Sequence, residues 1–566
     1  MKKIFGKMTL AIAAVALLSS ACSKDYLETR PTSSIDEGTI FSNAESSLMA
    51  INGIHRLMHE GGSSGTTTGY YGQGGYTTFM LHLALMSDDV VWTYNNVMYQ
   101  DCASWVHHRD LTHKYNDLNY YWKLFYRIIN NANKVLSYID DIPELSGTGN
   151  YRNFVKGQAL AYRAFAHFQL VQCWAQRYDA AGNNTQLGVI IRTEPSMENA
   201  ARSSVEDVYT QINKDLDDAI ACLEQVPAGF KKNKTHIDQW VAKGIKARVL
   251  LTQGKWAEAA AMADDVVKNS GAALQADTYT CGMAGKQMSD MNNTEWLWAQ
   301  GSSDDATQHG ALRAWHSFIS NNAASYNRNS PRAILNTLYA TIPLTDVRHN
   351  NWIENPYGKG KSTCLAPVDG APVVPTGSAR LAPWMSQKWQ IDDQGVQNTY
   401  FDVPYMRLPE MMLIAAEGYA RAGGAANFAK AQALLYELGS QRDPAYLPVA
   451  VTGDELVEKI MWQRRVELWA EGGLRWYDLK RLNLPCDRGP APRDGFNKGG
   501  TSNGWKTTGT TMPTNLDPLA SNFNMYGEQG VGEGARLIPA GDIRWQWLIP
   551  YNEVNSNPLC EQNPTI

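Results

Sequence analysis

The sequence predicts a mostly α-helical protein, a scaffold of helical hairpins carrying large loop-rich lobes with a few short strands. Three observations lead there. Apolar residues recur at three- and four-residue spacing through a series of long stretches, the mark of amphipathic helices. Two corners, Gly254 to Ala259 and Gly424 to Ala429, place a turn glycine five residues before an alanine, where a small side chain lets two helices approach closely. Between residues 275 and 402, and again from 485 to 566, short apolar runs such as Trp296-Leu297-Trp298 alternate with Gly, Asn, Pro and Ser, a loop-rich texture.

Taken in order, Lys2, Lys3 and Lys7 precede an apolar run over residues 8–18 and then Ser19-Ser20-Ala21-Cys22. The run is too short to span a bilayer, and small residues lead into the cysteine. This pattern predicts a lipoprotein signal over residues 1–21, with Cys22 lipidated as the mature N-terminus and residues 22–40 as a polar tether. Ser42, with Glu45 three residues on, predicts a capping box for a helix reaching residue 59. Residues 61–76 form a Gly/Ser/Thr loop bearing Tyr70, Tyr71 and Tyr76. An apolar segment, 79–86, then leads through Ser87-Asp88-Asp89 into a polar aromatic loop with Trp92, Tyr94, Asn95 and Trp105. Helices are predicted over 118–139, 151–174, from a cap at Ser203 to 223, over 235–252 and over 256–268. After the loop-rich insertion, further helices cover 408–422 and 428–439, and the two glycine corners match the tetratricopeptide hairpin, although without the full repeat. The predicted organisation is a helical part over 41–270, an insertion over 271–403, a second helical part over 404–482 and an irregular lobe over 483–566.

Composition narrows the chemistry. The net charge is mild, −5 over 566 residues, and no basic stripe argues for nucleic acid. Trp (18) and Tyr (27) outnumber Phe (13), a bias toward rings with a polar edge, which suits stacking on sugars or peptide at a wet surface as well as an aromatic core. With Cys22 removed, seven scattered cysteines without a C-x-x-C remain, so no disulfide framework can be assigned; Cys173 and Cys222 fall on apolar helical faces.

The most informative run is 460–481. Arg464, Arg465, Glu467, Glu471, Arg475 and Asp478 alternate in sign among Trp462, Trp469, Trp476 and Leu479, with Gly472-Gly473 allowing a turn between two helices. Glu467 and Glu471 are four apart, so a continuous helix would stack them on one face. Charges set among so many large rings are tolerated only when paired. The order Arg464, Arg465, Glu467, Leu468, Glu471, Gly472, Arg475, Asp478, Leu479 and Arg481 resembles the helix-loop-helix signature of the SusD/RagB family. Asp25-Tyr26-Leu27-Glu28, the Ser87-Asp88 pair and the closing Asn557-Pro558, Gln562-Asn563-Pro564 pattern are similar to the family's ends and early loop. The resemblance implies a scaffold of about four degenerate helix pairs and a lipid-anchored protein on the outer face of the outer membrane. It also implies a partner, a SusC-like TonB-dependent transporter, and a glycan ligand held by aromatics of the early loop and of the insertion. A peptide or glycoprotein ligand is the alternative within the family.

The same residues bear on catalysis. A glycosidase needs one protonated carboxyl facing a nucleophile or base, whereas Arg464, Arg465 and Arg475 beside Glu467 and Glu471 favour two ionised groups and structural pairing. His55 and His59 have zinc-helix spacing, yet Arg56 stands where a zinc protease needs Glu, so neither a metal nor another cofactor is expected. No phosphate loop or nucleophile elbow occurs. The expected ligand contacts are therefore Tyr70, Tyr71, Tyr76, Asp88, Trp92, Tyr94, Asn95 and Trp105 from the early region, with Trp315, Tyr326 and Arg328 from the insertion.

Overall fold

A computed structural model describes residues 36–59, 74–92, 105, 107–109, 117–231, 233–275, 288, 291–301, 319, 332–353, 384–386, 388–389, 402–488 and 537–565. Over these the fold is mostly α, with eleven principal helices. They are α1 (Ala44–Leu57), α2 (Gly75–Leu85), α3 (Asp117–Tyr138), α4 (Asn150–Trp174), α5 (Val205–Leu223), α6 (Gln239–Thr252), α7 (Trp256–Asn269), α8 (Leu408–Ala422), α9 (Ala425–Arg442), α10 (Gly453–Glu467) and α11 (Leu474–Arg481). From α3 to α9 each helix packs on the next, and α10 returns onto α8 and α9, giving a tetratricopeptide-like stack. At its centre, α4 is buried on nearly every side from Phe154 to Trp174, because α1, α3 and α5 all pack on it.

Local signals set most helix ends, with informative exceptions. The side chain at the start of α1 is Asn43, which accepts from Ser46 N at 2.8 Å. Ser42 instead donates to Thr39 O, and the Glu45 carboxylate reaches across to the backbone N–H groups of Leu145 and Ser146. The predicted capping box is thus replaced by a tie to the loop after α3. Similarly, α5 is capped by Ser204, accepting from Asp207 N, while Ser203 N donates to Val189 O in a backbone bridge that removes it from capping.

The insertion does not interrupt the helical stack. The end of α8 lies against the start of α7, antiparallel, and the contact depends on Gly418: a Cβ there would sit 2.5 Å from Trp256 O and 2.9 Å from Ala260 Cβ. Arg248 of α6 forms a bidentate pair with Glu410 of α8 (2.7 and 2.6 Å), and Tyr419 donates to Asp264 at 2.8 Å.

Short strands attach the lobes. Here β1 (Val90–Trp92), β3 (Arg332–Ile334), β5 (Met385–Ser386) and β4 (Trp352–Ile353) form one sheet in the order β1-β3-β5-β4, whose observed pairings are antiparallel. A second sheet pairs β2 (Trp296–Gln300) with β6 (Val403–Arg407), and a third pairs β7 (Cys486–Asp487) with β8 (Leu537–Ile538). Every residue of β2 is buried, so Leu297 lies in the interior along with Trp296 and Trp298. Past β8, amide side chains stand in for a ladder: Gln562 brackets Ile549 N and O, while Asn563 donates to the carbonyls of Trp174 and Trp547 at 2.6 Å. No described helix is long and apolar enough to cross a membrane.

Two outcomes follow for stability. Gly418→Ala should lower the unfolding free energy by about 1–3 kcal/mol through forced separation of α7 and α8, whereas Gly53→Ala, with open space around it in α1, should raise it by about 0.5–1 kcal/mol; urea titrations of both variants check this. His167 is fully buried, its Nδ1 donating to Arg163 O and its Nε2 accepting from Arg192 N, and burial, aided by the Arg163 charge, pushes its pKa down from 6.5 to about 3. The folded state therefore refuses a proton that the unfolded chain takes up. Stability contributed by the neutral ring is full above pH 6.5 and falls as pH drops from there toward 3. His167→Gln should flatten the acid limb of the stability curve by about 1.4 kcal/mol per pH unit, one proton's worth.

Candidate ligand-binding face

A buried ionic network joins the strands, the insertion and the α10–α11 turn. Its acids are Glu295 before β2, Asp346 between β3 and β4, Glu467 at the end of α10 and Glu471 in the α10–α11 turn; its bases are Arg348, Lys388, Arg407 and Arg442. Arg407 at the end of β6 is central, donating to Glu471 (2.7 and 2.6 Å), Glu295 (2.8 Å) and Glu467 (3.2 Å). Arg442 bridges Glu295 (2.7 Å) and Glu467 (3.1 Å), and Arg348 joins Asp346 to Glu467 (3.1 Å). Lys388 donates to Glu471 (2.6 Å) and to the carbonyls of Glu467 and Trp469, so it also caps the end of α10. Four acids oppose four bases, which is why the group tolerates burial. Burial alone would raise the pKa of Glu467, but Arg442, Arg407 and Arg348 hold it well below the ordinary carboxylate range. It cannot donate a proton at neutral pH.

The signature charges pair differently from their order in sequence. Arg464 binds Asp478 (2.6 Å), and Arg481 joins Asp478 to Glu417 of α8 (2.9 and 2.6 Å). Arg465 and Arg475 reach the early loop, to Asp89 (2.5 Å) and Asp88 (2.7 Å). The arginines nearest in sequence to Glu467 and Glu471 are thus not their partners. Nor does one helix stack these two acids: α10 ends at Glu467, and Glu471 follows in the turn, yet both converge on Arg407. The turn needs glycine at 473, with φ 69° and a would-be Cβ 2.4 Å from Leu83 Cβ of α2.

Three of the expected ligand contacts lie in the interior instead. Tyr76 begins α2, not a loop, and its ring is 2 % exposed among Phe79, Phe165 and Tyr405. Trp105 is 1 % exposed, donating to Met86 O and packing on Trp545. Asp88 is committed to Arg475 by two 2.7 Å bonds. In each case a long-range partner, invisible in local sequence, draws the side chain inward. Trp92 ends β1, its backbone paired with Arg332. Tyr70, Tyr71, Tyr94, Asn95, Trp315, Tyr326 and Arg328, and the lipidation site Cys22, lie outside the described residues.

Topology nevertheless relates the two predicted regions. Because β1 and β3 are antiparallel with Trp92 opposite Arg332, the chain leaving β1 and the chain arriving at β3 do so at one end of the sheet. The Cα atoms of Trp92 and Arg332, the last described residues at that end, are therefore about 5 Å apart. Clefts among the described residues include one of about 440 Å³ bordered by Tyr126, Asn130, Arg192, Met197 and Glu553, and one of about 310 Å³ beside Lys480, Asn483, Asp542 and Trp545. Lys480 is spent on the carbonyls of Gln172, Ala175 and Trp545, and burial pushes its pKa down to about 7.

Sequence reasoning missed Glu295, Asp346, Arg348, Lys388, Arg407 and Arg442. A usable signal existed for two of them, since Glu295 directly precedes the apolar strand β2 and Arg407 is the last residue of β6. Removing one member should expose the cost of the others: Glu467→Gln is expected to lose about 3–5 kcal/mol of stability, while Asp218→Asn, breaking the exposed i,i+4 pair with Lys214, should change nothing measurable in the same denaturation assay.

Comparison with known proteins places this architecture. A family model described as "Starch-binding associating with outer membrane" (SusD-like) matches residues 73–251, and the SusD family model matches residues 370–565. A SusD-like protein of Bacteroides ovatus is 23 % identical over 296 residues, 48 % of this chain and 46 % of that protein, so the match spans about half the relative's length. Among solved structures, a SusD superfamily protein from Bacteroides thetaiotaomicron superposes with TM-score 0.67 at 21 % identity, covering 92 % of this chain and 100 % of the other. A SusD-like carbohydrate binding protein from Bacteroides vulgatus gives TM-score 0.67 at 22 % identity (92 % and 97 % covered), and a laminarin binding SusD-like protein gives 0.61 at 19 % (93 % and 100 % covered). With its signature helices, buried charge pairing and helical stack all in place, the chain belongs to the SusD/RagB family.

Proposed function

We propose that this protein is a non-catalytic glycan-binding lipoprotein of the outer membrane's external face, anchored through Cys22. In this reading it captures oligosaccharide and passes it to a SusC-like TonB-dependent transporter. The observation that carries the reading is the β1–β3 pairing, which sets Trp92 opposite Arg332, the residues that adjoin in sequence the early aromatic region and the aromatic cluster of the insertion. Ring stacking from Trp92, Tyr94, Trp315 and Tyr326, with hydrogen bonds from Asn95 and Arg328, would then act on one ligand. The starch-binding description of the family model and the carbohydrate- and laminarin-binding names of two structural relatives support the ligand class. The ionic role of Glu467 supports the absence of hydrolysis. One stacked ring adds about 0.5–1.5 kcal/mol beyond area burial, so micromolar affinity, about −8 kcal/mol, requires several rings already in place.

Affinity electrophoresis and calorimetry against laminarin, starch and a peptide mixture test the proposal. Retention by a glycan, a tenfold or greater loss in Trp92→Ala or Trp315→Ala, and no release of reducing ends are expected. Retention by peptide alone, or glycan cleavage abolished by Glu471→Gln, would overturn it. For the anchor, Cys22→Ser should move the protein from the membrane fraction to the soluble one and abolish palmitate labelling.

A further inference from the structure

The segment entering β1 is held more tightly than a connecting loop requires. Met86 O accepts from Trp105 Nε1 (3.0 Å) and from Cys486 Sγ (3.5 Å), and Ser87 O accepts from Arg488 (3.1 Å). Asp89 O accepts from Trp469 Nε1 (2.8 Å) of the α10–α11 turn and from Leu335 N (3.1 Å) just past β3. On the side chains, Arg475 is bidentate on Asp88 and lies 3.4 Å from Asp89, while Arg465 grips Asp89 at 2.5–3.2 Å. Burial opposes the ionisation of Asp88, but Arg475 and Arg465 outweigh it and its pKa is lowered; at Asp89 burial prevails over Arg465, and the charge of Asp88 adds to it, so that pKa is raised.

Two adjacent carboxylates brought out of water contribute little net stability relative to apolar packing. What they supply is direction: a bidentate guanidinium–carboxylate pair fixes both distance and plane. Here the fixed object is the β1–β3 ribbon, whose Trp92–Arg332 end leads into both aromatic regions. We propose that Asp88 and Asp89, through Arg475 and Arg465, are positioning residues, seating the β1–β3 ribbon on the signature turn and fixing its Trp92–Arg332 end before ligand arrives. Asp88 acts through Arg475 and touches no ligand. The proposal rests on the glycan reading for its consequence in affinity, but not for its consequence in the ribbon.

The experiment uses the full chain and compares Asp88→Asn, Arg475→Gln and the double variant with Asp215→Asn, which breaks the buried Arg163–Asp215 pair between α5 and α4, remote from β1. Amide hydrogen exchange is followed over residues 85–92 and 332–335, and calorimetry uses laminarin and maltoheptaose as probes. Each clamp variant should speed exchange at both strands and weaken glycan binding, both at least tenfold, and the double variant should be no worse than either single one. Asp215→Asn, despite a lowered melting temperature, should leave both readings unchanged. Unaltered exchange at β1 and β3 in the clamp variants would overturn the proposal. So would a loss of affinity confined to Asp88→Asn, which would make Asp88 a direct ligand contact. If the wild-type protein binds neither probe, that counts against the glycan reading, and the exchange rates still decide the clamp. Should Asp88→Asn fail to fold, Arg465→Gln, whose partly exposed guanidinium makes it the milder change, takes its place with the same expected direction.

Discussion

Arg407 is the point on which the assembly turns. It stands at the junction of β6 and α8, and its guanidinium meets acids from before β2, from the end of α10 and from the turn that follows. Through Glu467 the same cluster takes in Arg442 of α9 and Arg348 of the insertion. Apart from the local Arg348–Asp346 pair, the bonds join separate parts of the chain, so the network is complete only when all these elements are docked. An unpaired charge at such depth is costly. The network therefore penalises every arrangement of the lobes except one, and this selectivity matters more than any net contribution to stability.

A division of labour follows. The helical stack supplies apolar burial, with α4 enclosed by its neighbours and α7 and α8 pressed together at Gly418. The described parts of the lobes obtain definition from directional bonds: arginine forks onto buried carboxylates, indole N–H groups on the carbonyls of Met86 and Asp89, and the Gln562 and Asn563 amides in the last segment. Irregular backbone cannot satisfy itself as a helix does. It must borrow partners from side chains, and the family's polar signature residues are largely those partners.

This explains which parts could be read from the sequence. Helices declare themselves locally, so α3, α4, α6, α7 and α8 were legible from apolar spacing and from the glycine corners. Capping was legible only to within a residue, because Ser42 and Asn43 are both competent and the outcome turned on where Glu45 found distant N–H groups. That the signature charges must pair was also legible; with whom was not. Glu467 meets Arg348, more than a hundred residues earlier, and Asp88 meets Arg475 from the other end of the chain. Tyr76 and Trp105 looked exposed because glycine and polar residues surround them in sequence, while in space they face Phe165 and Trp545. An aromatic ring's fate is decided by what packs on it, and the linear text does not carry that.

The direct seating of α8 on α7 has an evolutionary corollary. The long segment between them departs from and rejoins the scaffold at neighbouring places, so lengthening it adds only about 0.6 kcal/mol of closure entropy per doubling. Such a joint lets a lineage swap or enlarge the insertion while the helical frame stays unchanged, provided the newcomer still offers acids and bases to the charges it must pair with.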